Sequence, residues 1–402
     1  MKHRFVLLLG MMILLLGSAA PAVAQSGVEV TDVQVQYTFG MEINFIARVQ
    51  SSIPIQSATI TFRAREGTTQ VRPLTVSPDG IALYRLDTSD RVLRPFTEIT
   101  FSFQFTLTDG TTQASPSYHV VYADNRFAWQ DADGGMVRVH WYQGDAAFGQ
   151  AALDAARAGL QAVQSLIPFT MTQPIDVYVY ATADDLQGAL YLGGSDWVAG
   201  HADPDLGVVM VSVPPGPSQG IAFERQIPHE LAHVLLYRQI GPNAARLPHW
   251  LDEGIASLVE QYPNPDYESA LAQATNSGAL LPLSELCTSF PPDAARAFLA
   301  YAESESFTRF LFDQYGTSGL AALTSAYADG LDCEQGARRA LGVSLTQLEA
   351  RWREAALGEN RAGVAARNLL PYVILLGLML MVPVWGALGR LRERRRNGRK
   401  SQ

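Results

Sequence analysis

The sequence of 402 residues has only two cysteines and almost no lysine. Lysine occurs only as Lys2 and Lys400, so nearly all basic charge is arginine, which we attribute to genome composition rather than to function. Two cysteines are too few for a disulfide framework, and neither has the spacing of a thiolate metal site. Cys287 and Cys333 either form one disulfide bond or remain two separate buried thiols.

Basic charge is also scarce overall, since 39 acidic residues face 30 basic ones and the net charge is −9. The basic residues are concentrated at the C-terminal end, which leaves the remainder of the chain more acidic still. An acidic surface repels polyanions. We therefore expect no nucleic-acid partner.

The N-terminal segment 1–24 has the organisation of a secretory signal peptide. It has a basic start, an apolar run and an Ala22-Val-Ala24 cleavage site. The alternative is an uncleaved N-terminal anchor. Either interpretation predicts export of the chain that follows.

A second apolar stretch, 369–388, is twenty residues long and has no charge. That length is typical of a transmembrane helix. The tail 389–402 is rich in arginine, and positive charge marks the cytoplasmic side of a membrane. These features predict a single-pass protein of the cell membrane, with extracytoplasmic N-terminal domains and a basic cytoplasmic tail.

The region 25–125 alternates apolar and polar residues and is rich in Val, Ile, Thr and Phe, for example at 33–37 and 98–107. This pattern predicts half-buried strands. About seven short strands in about a hundred residues are typical of an immunoglobulin-like or fibronectin-like β-sandwich. Such a domain serves either as a spacer or as a module that binds substrate or a partner.

The region 126–360 has a different pattern, in which strands at 136–142, 175–180 and 206–213 alternate with helices and are followed by helices alone. This order predicts an α+β domain. The last of these strands is either an edge strand that pairs with an extended substrate or an ordinary inner strand.

Within this domain lies the segment Ile227-Pro-His-Glu-Leu-Ala-His-Val234. His229 and His233 are four residues apart and share one face of a helix, so that both imidazoles reach one metal ion. Glu230 lies about 100° around the helix, where it reaches a water molecule on that ion. Pro228 fits the first turn of a helix.

Glu253 follows His233 by twenty residues, within Trp250-Leu-Asp-Glu-Gly-Ile-Ala256. The HELAH and LDEGIA segments together resemble the gluzincin metallopeptidases, which include thermolysin and the aminopeptidase N-like enzymes, and more broadly the peptidase MA-like group. The resemblance implies a zincin-type fold with Zn²⁺ as cofactor. It also implies His229, His233 and Glu253 as metal ligands and Glu230 as general base.

Hydrolysis also requires a donor for the developing oxyanion. Related enzymes use a downstream Tyr or His, and Tyr301 is the first candidate, with His201 and His249 as alternatives. A carboxylate usually orients each metal-bound histidine. Asp252 and Glu260 are both candidates, and the sequence does not choose between them.

The sequence thus predicts a multidomain chain: a β-sandwich at 25–125, a gluzincin-like peptidase domain at 126–360 and a transmembrane helix at 369–388. The predicted function is that of a membrane-anchored, outward-facing zinc metallopeptidase acting on a peptide or protein. The G-x-M-E-N segment of aminopeptidases is missing from the sequence, which favours an endopeptidase. The alternative is a zinc-stabilised binding or scaffold protein without catalysis.

Overall fold

The structure is a computed structural model that describes residues 27–65, 67–89, 93–167, 169–190, 200–359, 369–381, 383 and 385–386. The predicted signal peptide (1–24) and basic tail (389–402) lie outside the described residues. Contacts between residues divide the chain into two compact units, 1–126 and 127–402.

The first unit is all-β, as predicted, and has nine strands in its described part: β1 Val28–Thr38, β2 Glu42–Ser51, β3 Ile55–Ala64, β4 Gln70–Pro73, β5 Thr75–Val76, β6 Ile81–Asp87, β7 Glu98–Leu107, β8 Thr112–Ala114 and β9 Tyr118–Val121. One sheet has the order β1-β2-β6-β5; the other has the order β4-β3-β7-β8, with β9 also paired to β7. The sheets share an aromatic core, since the ring of Phe45 on β2 lies 4.8 Å from that of Phe101 on β7. Alternation of apolar residues along these strands places one face of each sheet in that core.

The second unit combines five described strands with helices. The strands are β10 Gln130–Asp133, β11 Val137–Trp141, β12 Ile175–Tyr180, β13 Gly200–Asp203 and β14 Val208–Ser212. The helices are α1 Ala146–Leu166, α2 Ala183–Leu190, α3 Gln219–Ile240, α4 His249–Leu258, α5 Asp266–Ser277, α6 Ala294–Ala328, α7 Cys333–Leu341 and α8 Leu345–Ala355, with 3₁₀ turns at Gly241–Arg246 and Glu285–Cys287. The backbone of α6 leaves helical geometry at Gly316, where φ is 63°.

The sheet of this unit has the order β10-β11-β12-β14-β13. Strands β11, β12 and β14 are parallel, whereas β13 is antiparallel to β14 and ends the sheet as described. The predicted strand 206–213 is therefore an inner strand, β14. The edge strand next to it is the short strand β13, which packs against α3. The sequence pattern did not predict this strand.

One buried core joins this sheet to the helices. Val177 of β12 and Val211 of β14 contribute to the same cluster as Leu231 of α3 and Trp250 of α4. A disulfide bond between Cys287 and Cys333 connects the loop before α6 to the start of α7.

The predicted transmembrane helix at 369–388 is wrong for this structure. In the described part of the chain, no helix is both long enough and apolar enough to cross a membrane.

Candidate active site

The first element of the site is helix α3, which carries the HELAH segment in its second half. Its apolar face is buried, and Leu231, Val234 and Leu235 are at most 1% exposed. The opposite face turns both histidines towards a cleft. The helix begins nine residues before Pro228, so this proline lies in its interior rather than in its first turn.

Helix α4 packs against α3 and brings Glu253 to the two histidines. Glu253 Oε2 lies 3.3 Å from His229 Nε2 and 3.9 Å from His233 Nε2. One potential ligand atom from each of the three residues lies within 4.8 Å of the others. The structure thus brings together the three predicted ligands, which come from two different helices.

The other nitrogen of each imidazole is held by a carboxylate. His229 Nδ1 donates to Glu260 Oε1 at 3.0 Å, and His233 Nδ1 donates to Asp252 Oδ1 at 3.2 Å. The sequence left both acids as candidates, and the structure gives each one its own histidine. Because both Nδ1 atoms are occupied, both Nε2 atoms are the free ligand atoms.

The electrostatics of this cluster favour a cation at its centre. Burial lowers the pKa of His229, but Glu253 and Glu260 raise it more, so that the net pKa lies well above its ordinary value. Burial likewise lowers the pKa of His233, while Asp252 raises it, and the result is about 9. The carboxylates that favour a proton on each imidazole also attract a metal dication to the same place.

Glu253 itself has the character of a metal ligand. Burial raises its pKa, but the two histidines lower it more, so that the carboxyl favours its charged form. Its Oε2 atom is buried and makes no well-formed hydrogen bond within the described residues. Its contact with His229 Nε2 at 3.3 Å leaves this buried anionic oxygen poorly satisfied, which is costly unless a cation binds it. The residues present therefore fit a zinc ion held by two imidazoles and one carboxylate.

Glu230 lies beside these ligands and opposite the edge strand. Burial raises its pKa, an effect opposed by His229 and His233, and the net pKa lies above its ordinary value. Gly200 of β13 approaches it so closely that a Cβ added to this glycine would lie 2.5 Å from Glu230 Oε1. A carboxylate of raised pKa near the cleft centre is suited to accept and return a proton.

The cleft has a volume of about 470 Å³. Besides the ligands, its walls include Tyr301, His201, Tyr237 and Ala244. The Tyr301 ring lies 6.5 Å from that of His229, measured between centroids. Burial raises the pKa of Tyr301, so its hydroxyl stays a hydrogen-bond donor.

Of the three predicted oxyanion donors, Tyr301 and His201 line the cleft, whereas His249 does not. The His249 ring instead lies 5.5 Å from that of Phe290, which packs edge-on against Tyr301 at 4.9 Å. Phe290 and Gly200 were not identified from the sequence. In the sequence, Phe290 is marked only by its nearness to Cys287, and Gly200 only by its place directly before His201.

An HExxH helix beside a second helix that supplies a glutamate, under a mixed sheet with an antiparallel edge strand, is the architecture of a zincin-like peptidase domain. This class agrees with a match to a family model over residues 155–358. The chain belongs to the Peptidase MA superfamily. No curated protein matches the chain.

Solved structures show only weak likeness to parts of the chain. A carbohydrate-binding module family 56 β-1,3-glucan binding domain is 12% identical, over 23% of this chain and 98% of that one, with a TM-score of 0.18. OgpA from Akkermansia muciniphila is 17% identical, over 24% and 28%, with a TM-score of 0.19. A family 64 β-1,3-glucanase from Paenibacillus barengoltzii, complexed with laminarihexaose, is 12% identical, over 29% and 27%, with a TM-score of 0.18. Scores this low support no argument about function.

Proposed function

We propose that this protein is a zinc-dependent peptidase in which His229, His233 and Glu253 hold the metal and Glu230 is the general base. One observation carries the proposal. Two Nε2 atoms and the buried Glu253 Oε2 converge, while both Nδ1 atoms are held by carboxylates. Supporting carboxylates of this kind are typical of metal-binding histidines.

When bound, zinc supplies Lewis-acid chemistry, which polarises the substrate carbonyl and acidifies water. Glu230 takes a proton from the attacking water and passes it to the departing amine. Tyr301, whose ring centroid lies 6.5 Å from that of His229, donates its hydroxyl hydrogen to the oxygen that becomes negative.

The edge strand β13 gives this site a way to hold a peptide. Its outer edge is not paired by any described strand and runs beside Glu230. An extended substrate that adds to this edge gains backbone hydrogen bonds and presents a carbonyl to the metal. Because such binding does not require a free chain end, it favours internal cleavage, and we propose an endopeptidase.

The disulfide Cys287–Cys333 supports action in an oxidising compartment, because disulfides are rare where cytosolic reductants act. We propose that the chain is exported, with both units outside the cytoplasm. The β-sandwich unit then serves as a spacer or as a module that binds substrate.

The test is peptide-library cleavage by the purified protein with zinc supplied, read by mass spectrometry. Glu230→Gln removes the base but no ligand, so we expect bound zinc with no cleavage. Glu224→Gln is the matched control, because it changes an exposed glutamate of the same helix and should leave cleavage intact.

Cuts made by the unaltered protein and lost only in Glu230→Gln would support the peptidase and separate internal from terminal cleavage. Absence of cuts in all three proteins, with zinc bound, would instead favour a binding or scaffold protein. Absence of zinc binding in the unaltered protein would contradict the metal site itself.

A further inference from the structure

Three consecutive residues just after α4, Glu260–Tyr262, are each tied to α3. Glu260 accepts the His229 Nδ1 hydrogen bond at 3.0 Å. The backbone N–H of Gln261 donates to the Glu224 carbonyl at 2.8 Å. Arg225 Nε donates to the Tyr262 carbonyl at 3.2 Å. We call residues 260–262 the brace segment.

Because of Pro228, one backbone carbonyl of α3 lacks its usual hydrogen bond within the helix. Proline lacks the N–H that would bond the carbonyl four residues earlier, which is that of Glu224. The brace segment supplies the missing donor through Gln261. The interior proline next to the first histidine therefore opens a docking point for the segment that carries its supporting carboxylate.

Arg225 completes this arrangement. Its guanidinium lies over the Tyr262 ring, 5.7 Å from the centroid, and its Nε is 4.0 Å from Glu260 Oε2. The Glu260 side chain is only 5% exposed, so its charge requires a nearby cation. His229 holds one oxygen of this carboxylate and Arg225 attracts the other, which defines the orientation of Glu260.

The two histidines differ in this respect. Asp252, the partner of His233, is 32% exposed and lines the cleft, where solvent stabilises its charge. Glu260 is buried and depends on protein groups. The orientation of His229 therefore depends, through Glu260, on Arg225, which is not itself a metal ligand.

We propose that Arg225 is a positioning residue of the metal site: it holds Glu260 and the brace segment against α3, so that His229 Nε2 is aimed at the metal. The proposal rests on the proposed zinc site and concerns metal affinity. A supporting residue of this type typically changes metal affinity by about 10–100-fold. Because Arg225 acts through Glu260, we expect its removal to weaken zinc affinity by the lower value of this range, about tenfold.

The experiment measures the zinc dissociation constant of the full-length protein by competition with a chromophoric chelator. The variants are Arg225→Gln, Glu260→Gln and the double variant. Arg309→Gln is the matched control, because Arg309 is an exposed arginine of the same unit, paired with Glu305. Thermal unfolding of the metal-free proteins is recorded alongside.

We expect Arg225→Gln to weaken zinc binding about tenfold and Glu260→Gln to weaken it at least as much. Because Arg225 acts through Glu260, adding Arg225→Gln to Glu260→Gln should weaken zinc binding by less than about a further twofold. Arg309→Gln should bind zinc as the unaltered protein does. Arg225→Lys should recover part of the loss, since it keeps the charge but not the planar contact with Tyr262.

Unchanged zinc affinity in Arg225→Gln, or fully additive effects in the double variant, would overturn the proposal. If Arg225→Gln does not fold, Arg225→Met, which keeps the apolar stem without the charge, replaces it in the same cycle, and unchanged affinity there overturns the proposal as well. Failure of the unaltered protein to bind zinc would overturn the proposed function instead, so the two failures are distinguishable.

Discussion

Gly200 gives the sharpest prediction, because it separates catalysis from folding and from metal binding. In Gly200→Ala the new Cβ would lie 2.5 Å from Glu230 Oε1 and 2.9 Å from Glu230 Cδ. Ordinary contact begins at about 3.4 Å, so the carboxylate must retreat by about 1 Å. A misplacement of about 1 Å in a catalytic group lowers the rate by about 100-fold.

The same geometry predicts little loss of stability. The atoms that must move are the end of a flexible side chain that faces the cleft, whereas the backbone of β13 remains paired with β14. Zinc affinity should also be unchanged, because Glu230 is not a ligand in the proposed site. We therefore expect kcat to fall about 100-fold with normal zinc content and an unchanged thermal midpoint.

The assay is steady-state cleavage of a peptide identified from the library, with bound zinc measured in the same sample. Gly220→Ala is the control, because a Cβ at Gly220 meets nothing within 4 Å. If Gly200→Ala retains activity within a factor of about two, Glu230 does not act from its observed position, and the assignment of the general base fails.

Four further outcomes follow from the structure. Tyr301→Phe should lower kcat by about 10²–10³ with zinc content unchanged, measured by peptide cleavage; unchanged kcat would exclude it as the oxyanion donor. Glu253→Ala should lower zinc affinity in chelator competition, and full occupancy would contradict its role as a ligand. Burial raises the pKa of Glu303 from 4.5 to about 8, so its carboxyl favours the neutral form in the folded protein. The free energy of unfolding should therefore fall as pH rises between these two values, by at most about 5 kcal/mol. Glu303→Gln should remove that fall, as read from thermal midpoints between pH 5 and 8. Replacing Cys287 and Cys333 by serine should lower the free energy of unfolding in denaturant titration by about 4 kcal/mol, given a separation of 46 residues.

The features that the sequence predicted correctly depend on the spacing of residues that are close together in the chain. His229 and His233 are four residues apart, and helical periodicity alone places them on one face. The strand 175–180 was predicted with the bounds that the structure gives it, since its apolar alternation is local too.

What the sequence did not predict depends on how distant elements pack. The edge position of β13 follows from strand order, and its four residues Gly200–Asp203 carry no alternating apolar pattern. The choice of Glu260 for His229 and of Asp252 for His233 follows from how α4 and the residues just after it pack against α3. Pro228 was assigned to the start of α3 because its missing N–H is tolerated there, whereas a distant residue satisfies the freed carbonyl.

The disulfide Cys287–Cys333 also affects how damage to this protein would be observed. Exposed residues Thr288 and Ser289 lie between Cys287 and α6, beside the loop that carries Phe290. A protease cut there would separate the chain into two fragments that the disulfide keeps covalently joined. A non-reducing gel would then show one intact band, although the cleft wall behind Tyr301 had been severed. Preparations of this protein should therefore be judged intact only on reducing gels.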